Sequence, residues 1–173
     1  MAVQTSRLDP APPLAHGYRG HGWGPLVRRV ACGSSRARWL AGGVALAAFG
    51  VLGLAAVLRP DPTGFGTHRQ LGLPGCTFLL RTGYPCPTCG MTTAFAHASR
   101  GHWLTALRGQ PMGFLMWLAC LGTGIGGVSA VATGRTWTLN WFRVSPGWLV
   151  AVLVGLLLLS WAYTILTVVL PAR

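Results

Sequence analysis

Charged residues cut this chain into long uncharged runs, and the runs have the length of a bilayer. Trp39 to Leu58 is 20 residues without a charge, bounded by Arg38 and Arg59. At about 1.5 Å rise per residue such a run reaches roughly 30 Å, the thickness of the hydrocarbon core. Gly109 to Gly134, closed by Arg108 and Arg135, and Gly147 to Leu170, after Pro146, repeat the pattern. The pattern predicts three transmembrane helices, over about 39–58, 110–134 and 147–170. Residues 59–109 between the first two form an extramembrane loop, entered through Pro60-Asp61-Pro62. Within it Leu71 to Leu80 and Met91 to Ala98 are apolar but too short to span, so they are expected at the interface or in a re-entrant hairpin. The expected fold is an all-α membrane protein: three transmembrane helices plus a short interfacial or re-entrant helix after the motif Cys86-Pro87-Thr88-Cys89-Gly90. Residues 1–38 mix Pro, Gly, His and Arg without an apolar period and read as a disordered basic tail; 39–173 is the membrane domain.

Small residues within the spans mark candidate helix contacts. Gly43 and Ala47 lie four apart in the first span, and Gly122 and Gly126 form a Gly-x-x-x-Gly pair in the second, flanked by Gly124 and Gly127. Ser160 and Thr164 share a face of the third span and are expected to bond back to their own helix. Cys120 reads as a small buried hydrophobe. Trp137, Trp141 and Trp148 stand where an aromatic belt belongs.

Composition narrows the chemistry. All 14 basic residues are Arg, and Asp9 and Asp61 are the only acids. Two carboxylates so far apart exclude paired acid/base catalysis and oxygen-ligated Mg or Ca sites, which leaves Cys and His. A net charge of +12 in a soluble protein points to nucleic acid, but here the arginines flank apolar spans and fit lipid headgroups instead. The expected partners are therefore the lipid bilayer and a membrane protein, with no nucleic acid. With the tail inside, eight arginines lie on the cytoplasmic side against six outside. That bias places the N-terminus in the cytoplasm and the cysteine loop on the periplasmic or extracellular face of a bacterial inner membrane.

Three of the five cysteines, Cys76, Cys86 and Cys89, crowd into the loop, whereas Cys32 and Cys120 lie apart. Cys86 and Cys89 are close enough in sequence to share one helical turn and form a redox pair. Thr88 is a candidate helix cap before Cys89, where helix-start amides favour a thiolate, and Cys76 is a candidate resolving thiol. Thiol-disulfide exchange with a protein or quinone partner is the leading reading. A structural disulfide in a non-enzymatic membrane subunit is the second. Zinc held by Cys76, Cys86, Cys89 and a histidine is the third. For His97 the distance is unfavourable: on one straight helix from Cys89 it stands about 12 Å away along the axis. His68 and His102 would have to fold back from the flanks.

Cys86-Pro87-Thr88-Cys89-Gly90-Met91-Thr92, with Cys76 ten positions earlier and Gly101-His102-Trp103, Ala106 and Gln110-Pro111 following, resembles a family of small bacterial membrane proteins. That family is catalogued as domain of unknown function 2752. The likeness covers about Leu71 to Leu115 and implies a multi-pass membrane protein without an established activity. Thr93 stands where the family usually has Arg, His102 where it often has Asp, and Gln110 where it often has Asn. The first change removes a cation that would have favoured a thiolate at Cys89.

Overall fold

The structure, a computed structural model, describes residues 27–31, 34–139 and 145–169. Most of the tail, Cys32, Trp141 and the chain end from Leu170 lie outside the described residues. Three helices are long and apolar enough to cross a membrane: α1 (Ser35–Val57), α5 (Pro111–Thr133) and α6 (Pro146–Thr164), the last continued by a π-helical turn over Ile165–Val169. Between α1 and α5 come a 3₁₀ turn at Thr67–Leu71 and three short helices, α2 (Thr77–Thr82), α3 (Met91–Ser99) and α4 (Trp103–Gly109).

Capping sets the ends of the long helices. The Ser34 side chain accepts a hydrogen bond from the Ala37 amide, so α1 begins four residues before the uncharged run and carries Arg36 and Arg38 in its first turns. Ser145 caps α6 in the same way, and Pro146 and Pro111 occupy first-turn positions where a missing N–H costs nothing. Gly134 ends α5 in the left-handed conformation, φ 64°.

One end of the bundle holds a feature the hydropathy pattern does not show. Val27–Ala31, read as tail, forms strand β1 and pairs antiparallel with β2 (Arg135–Leu139), read as a plain connection, in the register Val27 to Leu139 through Ala31 to Arg135. An isolated two-stranded ribbon is marginal in water. This one joins the segment before α1 to the segment after α5, and those helices already lie side by side.

The packing is inside-out relative to a water-soluble core. The buried face of α1 is Ala45, Ala48, Leu52 and Ala55, while Trp39, Leu46 and Val57 are more than three-quarters exposed. Large apolar side chains outward and small ones inward is what lipid solvation of a helix pair requires. The close approach of α1 and α5 uses a different pair of glycines from the Gly-x-x-x-Gly repeat. A Cβ on Gly127 would stand 2.7 Å from the Ala41 carbonyl oxygen, and one on Gly124 would stand 3.0 Å from the Phe49 ring. Gly122, Gly126 and Gly43 have nothing within 4 Å of such a Cβ, and Ala47 is exposed. The repeat and the Gly43/Ala47 pair therefore turn away from this contact, because the helix faces meet one position off the row that spacing alone picks out. Cys120 sits at the interface, its thiol 3.5 Å from the Ala48 carbonyl.

Arginines secure each end. Arg38 of α1 donates to the Val131 carbonyl near the end of α5, and Arg100 donates to the Val57 and Leu58 carbonyls that end α1. Both place a cation on helix carbonyls that lack intrahelical partners. In place of one short helix after the cysteine motif there are two, α3 and α4, joined through Gly101 at φ 81°. Ala94, Ala96 and Ala98 of α3 are buried, and Ala94 lies so close to α5 that a Cβ on Gly113 would stand 2.9 Å from it. Trp117 of α5 donates to the Ser99 hydroxyl at 2.9 Å and fixes the far end of α3. The cysteine loop is thus a compact helical cap on the bundle.

Candidate thiolate centre

The Sγ atoms of Cys76, Cys86 and Cys89 lie within 4.8 Å of one another. All three are free thiols, and Cys89 is buried. Cys76 comes from the start of α2 and the other two from the turn that leads into α3.

The turn is held at nearly every carbonyl. The Cys89 amide donates to the Cys86 carbonyl at 3.0 Å and the Met91 amide to the Thr88 carbonyl at 3.3 Å. Trp161 of α6 donates its indole N–H to the Pro85 carbonyl at 2.7 Å. Gln110, 2% exposed, donates its amide to the Pro87 and Cys89 carbonyls at 3.1 and 3.2 Å. Its Oε1 accepts from the Ser160 and Thr164 hydroxyls at 2.8 and 3.0 Å. One buried side chain thereby uses all of its hydrogen-bonding capacity to tie the cysteine turn to the third span. Thr164 bonds back to the Ser160 carbonyl as expected, and both residues also reach across to Gln110, which the expectation of purely local bonding missed.

Thr88 is not the cap of α3. Its hydroxyl lies 3.3 Å from the Cys86 sulfur, and Gly90 takes the N-cap position at φ 89°. A Cβ there would stand 3.2 Å from the Gly64 carbonyl oxygen, so both the backbone angle and the space call for glycine. The thiolate-favouring helix start belongs instead to Cys76, the N-cap of α2. The Leu79 amide, with help from Phe78 and the neighbouring thiols, lowers the Cys76 thiol to about 7. Burial pushes the Cys89 thiol up to about 12, and hydrogen bonding to Cys76 adds to the rise. The shifts run opposite to the expectation of a lowered thiol at Cys89: the thiol held low is Cys76, and the thiol pushed up is Cys89. In the metal-free protein, alkylation of Cys76 by iodoacetamide is expected to rise through a midpoint near pH 7 and level off above it, with Cys89 unmodified across that range. Peptide mass spectrometry at a series of pH values measures both rates.

The histidines have other surroundings. Among the described residues the sulfur group includes no histidine. His68 bonds the Pro74 carbonyl at 3.1 Å. His97, on α3, faces His102 with ring centroids 5.9 Å apart. Thr93 is buried with its hydroxyl 2.8 Å from that of Thr67, whose hydroxyl also accepts from the Asp61 amide. This link pins α3 to the loop that leaves α1.

Gln110, Ser160, Trp161 and Thr164 are the supporting residues that sequence reasoning did not assign to the centre. Their signal is weak but physical: polar groups at the ends of otherwise apolar spans need partners. No curated protein and no solved structure matches the chain. Residues 76–124, from the first cysteine of the centre into α5, match the model of the family described as a protein of unknown function, DUF2752.

Proposed function

We propose that the protein is a membrane-anchored metal-thiolate centre, with zinc as its metal and Cys76, Cys86 and Cys89 as its ligands. The convergence of three sulfurs carries this reading. A disulfide needs two, whereas tetrahedral zinc with Zn–S bonds of about 2.3 Å requires sulfurs roughly 3.8 Å apart, within the 4.8 Å limit met here. The held turn around Cys86 and Cys89 supplies the rigidity that ligand geometry demands. Three protein ligands leave the fourth position for water or for a donor from a partner or substrate, as in zinc sites that do chemistry or hand on the metal. The cysteine loop faces the periplasm or the exterior of a bacterial inner membrane, following the arginine bias between the two sides.

Titrating the reduced, full-length protein in lipid nanodiscs with zinc is the test. One zinc per chain is expected, with loss of alkylation at all three cysteines together and release of protons as the thiols deprotonate. Uptake below one zinc per chain would end the reading.

A second reading rests on its own observation, the lowered Cys76 thiol beside two others. In it two of the thiols lose two electrons and two protons to a quinone or a partner disulfide, forming one S–S bond while the third thiol serves as relay. Differential alkylation of protein taken from cells separates the two: a disulfide-linked fraction favours redox cycling, and three thiols released only by a chelator favour the metal.

A further inference from the structure

At the end of α1 away from the thiolate centre, a groove of about 680 Å³ lies along the helix. Ser35, Arg38, Trp39, Gly42, Gly43 and Leu46 line it from α1, and Val131 lines it from the last turns of α5. Steps of three and four place the α1 residues in one strip along the helix. The strip is polar at its start, with Ser35 and Arg38, and apolar from Trp39, where the uncharged run begins. From Trp39 to Leu46 it descends about 10 Å. It therefore ends inside the nearer leaflet, whose share of the hydrocarbon is about 15 Å.

A missing side chain makes the groove. Trp39 and Leu46 are 79% and 76% exposed, while a Cβ on Gly43 between them would have nothing within 4 Å. No helix of this chain fills that space, so the smallness of Gly43 serves a cleft rather than a helix contact.

The mouth is cationic. Arg38 gives one of its five N–H donors to the Val131 carbonyl, which holds the guanidinium at the groove and leaves four for an anion. Arg36 and Arg135 are exposed at the same end of the helix pair. Among the described residues the one carboxylate side chain is Asp61, beyond the other end of α1. A guanidinium stays charged and its fork matches the oxygens of a phosphate. A cation at the membrane edge with an apolar floor beneath it repeats the order of head group and chain in a lipid.

We infer that this groove holds one anionic phospholipid, from the leaflet that meets the start of α1. Its phosphate lies on Arg38 and an acyl chain runs along Gly42, Gly43 and Leu46. The inference is independent of the metal-thiolate reading, whose residues stand at the other end of the molecule.

Native mass spectrometry of the full-length protein in detergent, titrated with dioleoyl phosphatidylglycerol and with dioleoyl phosphatidylcholine, is the test. The first phosphatidylglycerol is expected to bind at least tenfold more tightly than the first phosphatidylcholine. Arg38→Gln should reduce that preference to less than threefold, whereas Arg108→Gln, which removes one exposed arginine elsewhere, should leave it intact. Gly43→Leu should fill the groove and weaken phosphatidylglycerol binding at least tenfold. Gly50→Leu, equally free of neighbours within 4 Å but outside the strip, should change nothing. Leucine is the better helix former at both positions, so neither change opposes folding of α1. Equal affinity for the two lipids, an equal effect of Arg108→Gln, or unchanged binding in Gly43→Leu would overturn the inference. So would a lipid-free dimer that Gly43→Leu dissociates, because the groove would then belong to a second copy of the chain.

Discussion

Replacing Cys89 by Ser is expected to weaken zinc binding at least ~100-fold, because an apparent binding energy on the order of 10 kcal/mol is shared among few ligands and a serine hydroxyl stays protonated where a thiolate would form. Cys89 is the most informative of the three positions. Its thiol is buried and is pushed up to about 12, so in the metal-free protein it is neutral and contributes little charge. Only a cation among the sulfurs makes its deprotonation favourable. The substitution should therefore leave membrane abundance and the helical spectrum unchanged while competition against a chromophoric chelator shows the lost affinity. Cys76→Ser should cost a similar factor, since Cys76 brings the third sulfur from a separate segment, the start of α2. An unchanged zinc affinity in either variant would remove that sulfur from the ligand set.

The second large effect is expected at Gln110. Gln110→Leu keeps the volume but leaves the Pro87 and Cys89 carbonyls and two hydroxyls of α6 without their partner. Each buried group so orphaned costs about 1–3 kcal/mol. Thr164 retains its bond to the Ser160 carbonyl, so the total should fall near 3–5 kcal/mol rather than at the sum of four full penalties. Thermal unfolding in detergent reads the loss. Zinc affinity should fall by ~10–100-fold in the same variant, the range seen when groups supporting metal ligands are removed.

The spans were legible because charge is so sparse. Each uncharged run ends at an arginine or a proline, and the helices follow those limits to within a few residues, extended at α1 by the Ser34 cap. The membership of the sulfur cluster was legible too, from three cysteines in one loop. The opposite shifts of the Cys76 and Cys89 thiols were not. They depend on which cysteine sits at a helix start, and that was decided by Gly90 adopting a left-handed angle and by Cys76 capping a six-residue helix too short to announce itself in the pattern. The Gln110 network joins residues about fifty positions apart, and no local period encodes such a pairing. The glycine rows illustrate the same limit: Gly122 and Gly126 have the spacing of a helix contact, yet Gly124 and Gly127 make it, because the partner's face rather than the spacing selects the row. His97 is the reverse case. Helical rise alone predicted that it stands apart from Cys89, and the sulfur group includes no histidine among the described residues.

X-ray absorption at the zinc edge on the full-length protein in nanodiscs is the most direct measurement of the metal-thiolate proposal. The expected spectrum has three sulfur scatterers at about 2.3 Å and one lighter oxygen or nitrogen at about 2.0–2.1 Å. A first shell of oxygen and nitrogen without sulfur would contradict it.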